Sequence, residues 1–98
     1  MSIYYLMMEA KPLPDNEECK ELGGAFINCW VNSGDETSAM NKVTEYVSTE
    51  GWQIINIEDF FVVTREMYQE ESELLDCFDQ AVNCGIGAIF YTWPIVFN

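Results

Sequence analysis

Apolar and polar residues alternate along this chain in two different periods. Ile3 to Met8 is a β-rich run, and Lys11-Pro12-Leu13-Pro14 ends it, because proline cannot donate to a strand ladder. Asp15-Asn16-Glu17-Glu18 then carries a D-x-x-E capping pattern, and Gly23-Gly24 supplies a stop. At most a short helical turn fits between them. Ala25 to Asn32 has a period of two, with Ala25, Ile27, Cys29 and Val31 on one face and Phe26, Asn28, Trp30 and Asn32 on the other. At Ser33 the period changes. Ser33-Gly34-Asp35-Glu36 reads as an S-x-x-E capping box, with acids where a helix dipole favours them. Ala39, Met40, Val43, Tyr46 and Val47 then recur at helical spacing as one apolar stripe, and Gly51 stands in the C′ position that ends it.

Trp52 to Thr64 is extended and rich in Ile, Phe and Val, interrupted by Glu58-Asp59. It is either one long bent strand or two strands around a tight turn; neither acid is a strong hairpin residue. Thr64 is placed to cap a second helix over about Arg65 to Cys84. Its stripe is Met67, Leu74, Leu75, Phe78, Ala81 and Val82, with Glu71 as a mismatch and Gly85 as the stop. Ile86 to Trp93 forms the last strand, and Pro94 ends it or places it at an edge.

Residues 1–98 thus predict a single α+β domain. The expected architecture is a two-layer sandwich, with two amphipathic helices on one face of a four- to five-stranded, mostly antiparallel sheet. If Glu58-Asp59 is a turn, residues 25–93 run β-α-β-β-α-β, an element order that resembles the ferredoxin-like, split βαβ arrangement. Ile3 to Met8 would be an extra N-terminal strand. That resemblance rests on order alone, and fold analogy carries no function.

Charge and composition narrow the classes of function. Hydrophobic residues make up 49% of the chain and aromatic residues 14%, which argues for a folded core. Seventeen acidic residues face four basic ones, a net charge of −13. Phosphate backbones and anionic lipid need clustered Lys or Arg, so neither nucleic acid nor membrane is an expected partner. The absence of histidine removes it as base, shuttle or metal ligand. The N-terminal run lacks a basic flank and a signal-peptide core, no apolar stretch reaches the ~20 residues of a membrane span, and the protein is expected to be cytoplasmic. In that compartment Cys19, Cys29, Cys77 and Cys84 are expected as reduced thiols. No C-x-x-C pair is present, so Cys77 and Cys84, seven apart on a helix, read as small apolar fillers.

Two constellations remain as candidates for function. The first is acidic. Eight of the 17 acids lie between Glu58 and Asp79, with Arg65 as the only cation in that stretch. Glu66, Glu70 and Glu73 would share one helical face, with Glu58 and Asp59 just upstream. Like charges four apart cost a helix a few tenths of a kcal/mol, so the stripe is either a solvated face or a docking surface for a basic partner. The second is aromatic. Phe26, Asn28 and Trp30 share a strand face, and Tyr91 and Trp93 share one on the last strand. Such a surface fits a homodimer interface, a small-ligand platform, or aromatics covered by the N-terminal strand and C-terminal tail.

Catalytic signatures are absent. Asp15 to Glu18 lacks EF-hand spacing, and no metal or other cofactor is expected. Gly23-Gly24 precedes a strand, and Gly85-Ile86-Gly87 follows a helix, so neither is a phosphate-binding loop. A Ser or Cys nucleophile would lack its usual histidine. The sequence therefore favours a non-catalytic acidic interaction protein, such as an immunity protein, inhibitor or nucleic-acid mimic. Its contact residues would be Glu58, Asp59, Glu66, Glu70 and Glu73, with Trp30 and Trp93 as aromatic anchors. The alternative is a dimeric ligand-binding or regulatory module using Phe26, Asn28, Trp30 and Tyr91.

Overall fold

Ile3, Tyr4, Tyr5, Leu6, Met7 and Met8 are apolar in both strand phases, a pattern that suits a strand covered on both faces. A computed structural model, which describes residues 1–16, 22–68 and 72–94, has that strand in the interior of the sheet. The described elements are β1 (Ser2–Pro12), β2 (Leu22–Ser33), α1 (Glu36–Thr49), β3 (Trp52–Val63), a 3-10 turn (Arg65–Met67), α2 (Glu73–Cys84) and β4 (Ile86–Pro94). The four strands form one sheet in the order β3-β1-β2-β4, and every neighbouring pair is antiparallel.

The α+β class, with two helices packed on an antiparallel sheet, is as the hydrophobic pattern predicts. The layering differs. Tyr4, Leu6, Met8, Ala10, Ala25, Ile27, Cys29 and Val31 pack with Ala39, Val43 and Val47 of α1. Ile3, Trp30 and Val63, from the alternate strand phase, pack with Cys77, Phe78 and Ala81 of α2. The helices therefore lie on opposite faces of the sheet, one on each. The cause is in the two central strands: Ile3 to Met8 of β1 is apolar on both sides, and β2 carries Phe26 and Trp30 on the side away from Ile27, Cys29 and Val31, so both faces need cover.

The split βαβ order is not found either. It needs two strands around Glu58-Asp59, whereas Trp52–Val63 is one strand paired along β1. Register shifts opposite Met7/Met8 and Glu9/Ala10 leave Glu58 and Ile55 as extra residues, so the charged interruption is a β-bulge. Ile3 to Met8, expected as an added strand, lies between β3 and β2.

Helix starts also move. The carboxylate of Asp35, not the hydroxyl of Ser33, caps α1 by accepting the Ser38 N–H at 2.7 Å. Ser33 is buried and donates to the Asp35 carbonyl at 3.0 Å. Thr64 precedes only the 3-10 turn, and Ser72 caps α2 by accepting the Leu75 N–H at 3.2 Å. The expected helix over Arg65 to Cys84 is thus shorter, and its Glu70 and Glu71 lie outside the described residues. So do Cys19, most of the turn expected after Asp15, and the tail 95–98.

Glycine ends both helices as expected: Gly51 and Gly85 take φ of 93° and 98°. Gly23 and Gly24, expected as a stop, are instead part of β2. At Gly87 the need is space, because a Cβ there would run into the carbonyl of Cys77 on α2.

Candidate functional site

Antiparallel register brings side chains from all four strands into rows across the face that α2 partly covers. Phe61, Tyr5, Trp30 and Gly87 form one row. Asp59, Met7, Asn28 and Ile89 form the next. Glu9, Phe26 and Tyr91 form a third, beyond which Trp93 pairs with Gly24. Directly opposed side chains stand about 5 Å apart, so each row is a contact row.

α2 closes only one corner of this surface. Trp30 is fully buried there, its Nε1–H donating to the Tyr68 hydroxyl at 2.8 Å. Away from that corner the face is open: Phe26, Phe61 and Tyr91 are 42%, 44% and 48% exposed. Phe26 packs on Trp93 with ring centroids 5.2 Å apart, and Phe61 on Tyr5 at the same separation. Trp93 fits because Gly24 has no side chain; a Cβ there would collide with the indole. The Tyr5 hydroxyl donates to Asn28 Oδ1 at 3.1 Å, fixing a polar pair in the middle of the aromatic rings. Burial, and next the Asp59 carboxylate, push the Tyr5 phenol above its ordinary value. Tyr5 therefore stays a neutral donor at physiological pH.

The residues singled out in sequence divide three ways. Phe26, Asn28, Tyr91 and Trp93 come together on the open face as the alternation implies. Trp30 lies on the same face but under α2, so it anchors the core and presents no surface to a partner. The acids do not form one helical stripe. Glu58 is exposed at the bulge, where it accepts from Asn56 Nδ2 at 2.7 Å. Asp59 lies on the open face beside Met7. Glu66 belongs to the 3-10 turn, where hydrogen bonds from its own backbone N–H and from Thr64 hold its carboxyl below the usual range. Glu73 is in the first turn of α2, and Glu70 lies outside the described residues. Arg65 is engaged with Asp79, its Nε 3.2 Å from Oδ1 across an exposed gap.

Sequence reasoning missed Tyr5, Phe61, Met7 and Glu9 as members of this surface. The signal was the two-sided apolar pattern of Ile3 to Met8, whose odd positions Ile3, Tyr5 and Met7 lie opposite Asn32, Trp30 and Asn28, with Glu9 next in phase opposite Phe26.

Elsewhere the chemistry is sparse. Among the described residues no three His, Cys, Asp or Glu side chains are grouped to hold a metal. Cys29 is buried, and desolvation, with Cys77 nearby, pushes its thiol up to about 12. Cys77 is raised as well, by burial first and then by Asp76 and Glu73. Neither is an activated nucleophile. Cys84 is exposed, on an open groove of about 410 Å³ that Lys42, Glu45, Tyr46, Thr49 and Ile86 also line. A second groove, of about 530 Å³, runs between α1 and β3 and is lined by Met40, Trp52, Ile54 and Ile57 among others. No described helix is long and apolar enough to cross a membrane.

Comparison with protein-family models, with curated proteins and with solved structures finds no match for this chain.

Proposed function

We propose that this is a non-catalytic binding protein that docks on a basic partner protein through the open half of the α2-side sheet face. One observation carries the reading. Phe26, Tyr91, Trp93 and Phe61 are gathered on one face, around the Tyr5–Asn28 hydrogen bond, with the carboxylates of Glu9 and Asp59 in the same cross-strand rows. Exposed aromatics interspersed with fixed polar groups are the composition of an interface centre, and aromatic side chains dominate binding energy there. The carboxylates and the net charge of −13 select the sign of the partner. An inhibitor or immunity protein that covers a basic site on its target fits this combination.

Relative to the acidic stripe expected from sequence, the proposed contact moves onto the sheet. Asp59 and Trp93 stay in it, Glu58 borders it, and Trp30 leaves it. Pull-down at low and high salt should recover a basic protein more strongly at low salt. With that partner purified, Tyr91→Ala and Phe26→Ser should each weaken binding at least about tenfold, ~1.4 kcal/mol. Asp59→Lys should slow association and flatten the salt dependence. Binding that is indifferent to all three changes and to salt would overturn the proposal. A salt-insensitive dimer of the free protein that the same aromatic changes dissociate would replace it with self-association.

A further inference from the structure

β3 is the strand at one side of the sheet, so one row of its backbone N–H and C=O groups has no strand partner among the described residues. Proteins blunt such edges with lysine, proline, bulges or short strands. Trp52–Val63 contains no Lys, Arg or Pro. Its two bulges fall at Ile55 and Glu58, which leaves Asp59 to Val63 as a regular stretch paired residue for residue with Met7 to Ile3. Along that stretch Phe61 and Val62 are 44% and 50% exposed and point to opposite faces. The stretch is ~17 Å long, enough for an added strand of about five residues.

We infer that the outer edge of β3, from Asp59 to Val63, takes up an extended, basic segment of the partner as a fifth strand. Main-chain hydrogen bonds would supply affinity, and alternate side chains the specificity. The inference rests on the proposed reading that the partner is basic and adds the mode of docking. Charge decides between the available edges. Glu58 and Asp59 stand at the start of the regular stretch of β3, and the neighbouring cation, Arg65, is engaged with Asp79. β4, at the opposite side of the sheet, carries no charged residue from Ile86 to Pro94 and offers nothing to select a cation. Charge also decides against a second copy of this chain. Two copies would each bring a net charge of −13, and neither β3 strand holds a cation to offset that repulsion. Phe61 belongs both to this edge and to the aromatic face, so one partner segment on β3 extends the surface proposed above.

The test is amide hydrogen exchange of the intact protein, with a ten-residue alternating Lys-Val peptide as probe. A helix-forming Ala-Lys peptide of equal charge is the comparison. Alternate amides between Asp59 and Val63 should slow at least tenfold with the alternating peptide and not with the helical one. Val62→Lys, which places the natural edge-blocking residue on an exposed site, should abolish that protection with no change in Tm. Val62→Thr should keep it. Unchanged exchange at these amides, or equal slowing by both peptides, would overturn the inference. Slowing without peptide that grows with protein concentration would overturn it in favour of self-pairing. If these amides fail to slow while Phe26 and Tyr91 still respond to the peptide in a salt-sensitive way, strand addition fails and the basic-partner reading stands. If neither the edge nor the face responds to any cationic peptide, both fail.

Discussion

Asp35 illustrates how single carboxylates in this acidic chain differ in what they do. Its backbone is extended at φ −157°, and its side chain accepts the Ser38 N–H at the start of α1. That hydrogen bond from the Ser38 backbone holds the carboxyl below the ordinary carboxylate range. The native value is thus lower than the unfolded one, and the unfolded chain binds the proton more readily. Stability from this group is present in full above the unfolded value, about 3.9, and is lost as pH falls through the native value. Urea midpoints of the natural protein and Asp35→Ala should therefore differ by a constant amount from neutral pH down to about 4, then converge in stronger acid. A gap that stays constant into strong acid would mean that the charge of Asp35 contributes nothing. Taking the difference between the two proteins removes the other carboxylates, whose protonation relieves repulsion in both. Trp30 is the residue that composition alone misleads about. It shares alternation with Phe26 and Asn28, yet a helix-borne lid of Cys77, Phe78 and Ala81, with Tyr68 bonding its indole, withdraws it from solvent.

At the scale of elements, what could be read from sequence was whatever depends on local period. The stripe Ala39, Val43 and Val47 of α1 is buried, with Met40 and Tyr46 half-buried, and Gly51 and Gly85 end the helices. The alternation of β2 also holds. Strand order and layering depend on which surfaces meet, and the local pattern shows that only indirectly. Six consecutive apolar residues from Ile3 to Met8 require cover on both faces, which makes β1 central and sends the helices to opposite sides. The onset of α2 was hidden because Thr64 and Ser72 are both good N-caps and the shorter 3-10 turn intervenes. The candidate surface was half legible: its β2 and β4 residues follow from alternation, while Tyr5, Phe61 and Glu9 enter only through register. Close packing of α2 on β4 gives the prediction at this scale. Gly87→Ala places a methyl against the Cys77 carbonyl, so the helix must move off the strand. The cost should be about 1–3 kcal/mol in urea denaturation, the range for overpacking in a close-packed site. Gly34→Ala meets nothing within 4 Å and should be close to neutral. Equal effects of the two would show that α2 does not seat on β4 as described.

For the whole molecule, the net charge of −13 and the radius of gyration of 13.9 Å set a length that salt can be compared with. At about 0.01 M salt the Debye length is ~30 Å, so every carboxylate senses the others across the fold. At about 0.15 M it is ~8 Å, and only near neighbours interact. Opposite charges offer little relief, because there are four cations in the chain and the Arg65–Asp79 pair is an exposed one. Self-repulsion is stronger in the compact state than in the unfolded chain, where the charges lie further apart. Adding sodium chloride up to about 0.2 M should therefore raise Tm, with most of the gain at the low end, where the screening length shrinks past the size of the molecule. The proposed complex should respond in the opposite direction, since the same screening removes the attraction between its carboxylates and a basic partner. Calorimetry of the free protein and binding measured over one salt series test both signs together. A Tm independent of salt would mean that the acids are far enough apart to ignore one another. They would then have to act on a partner singly, through Glu9 and Asp59, and not as a field.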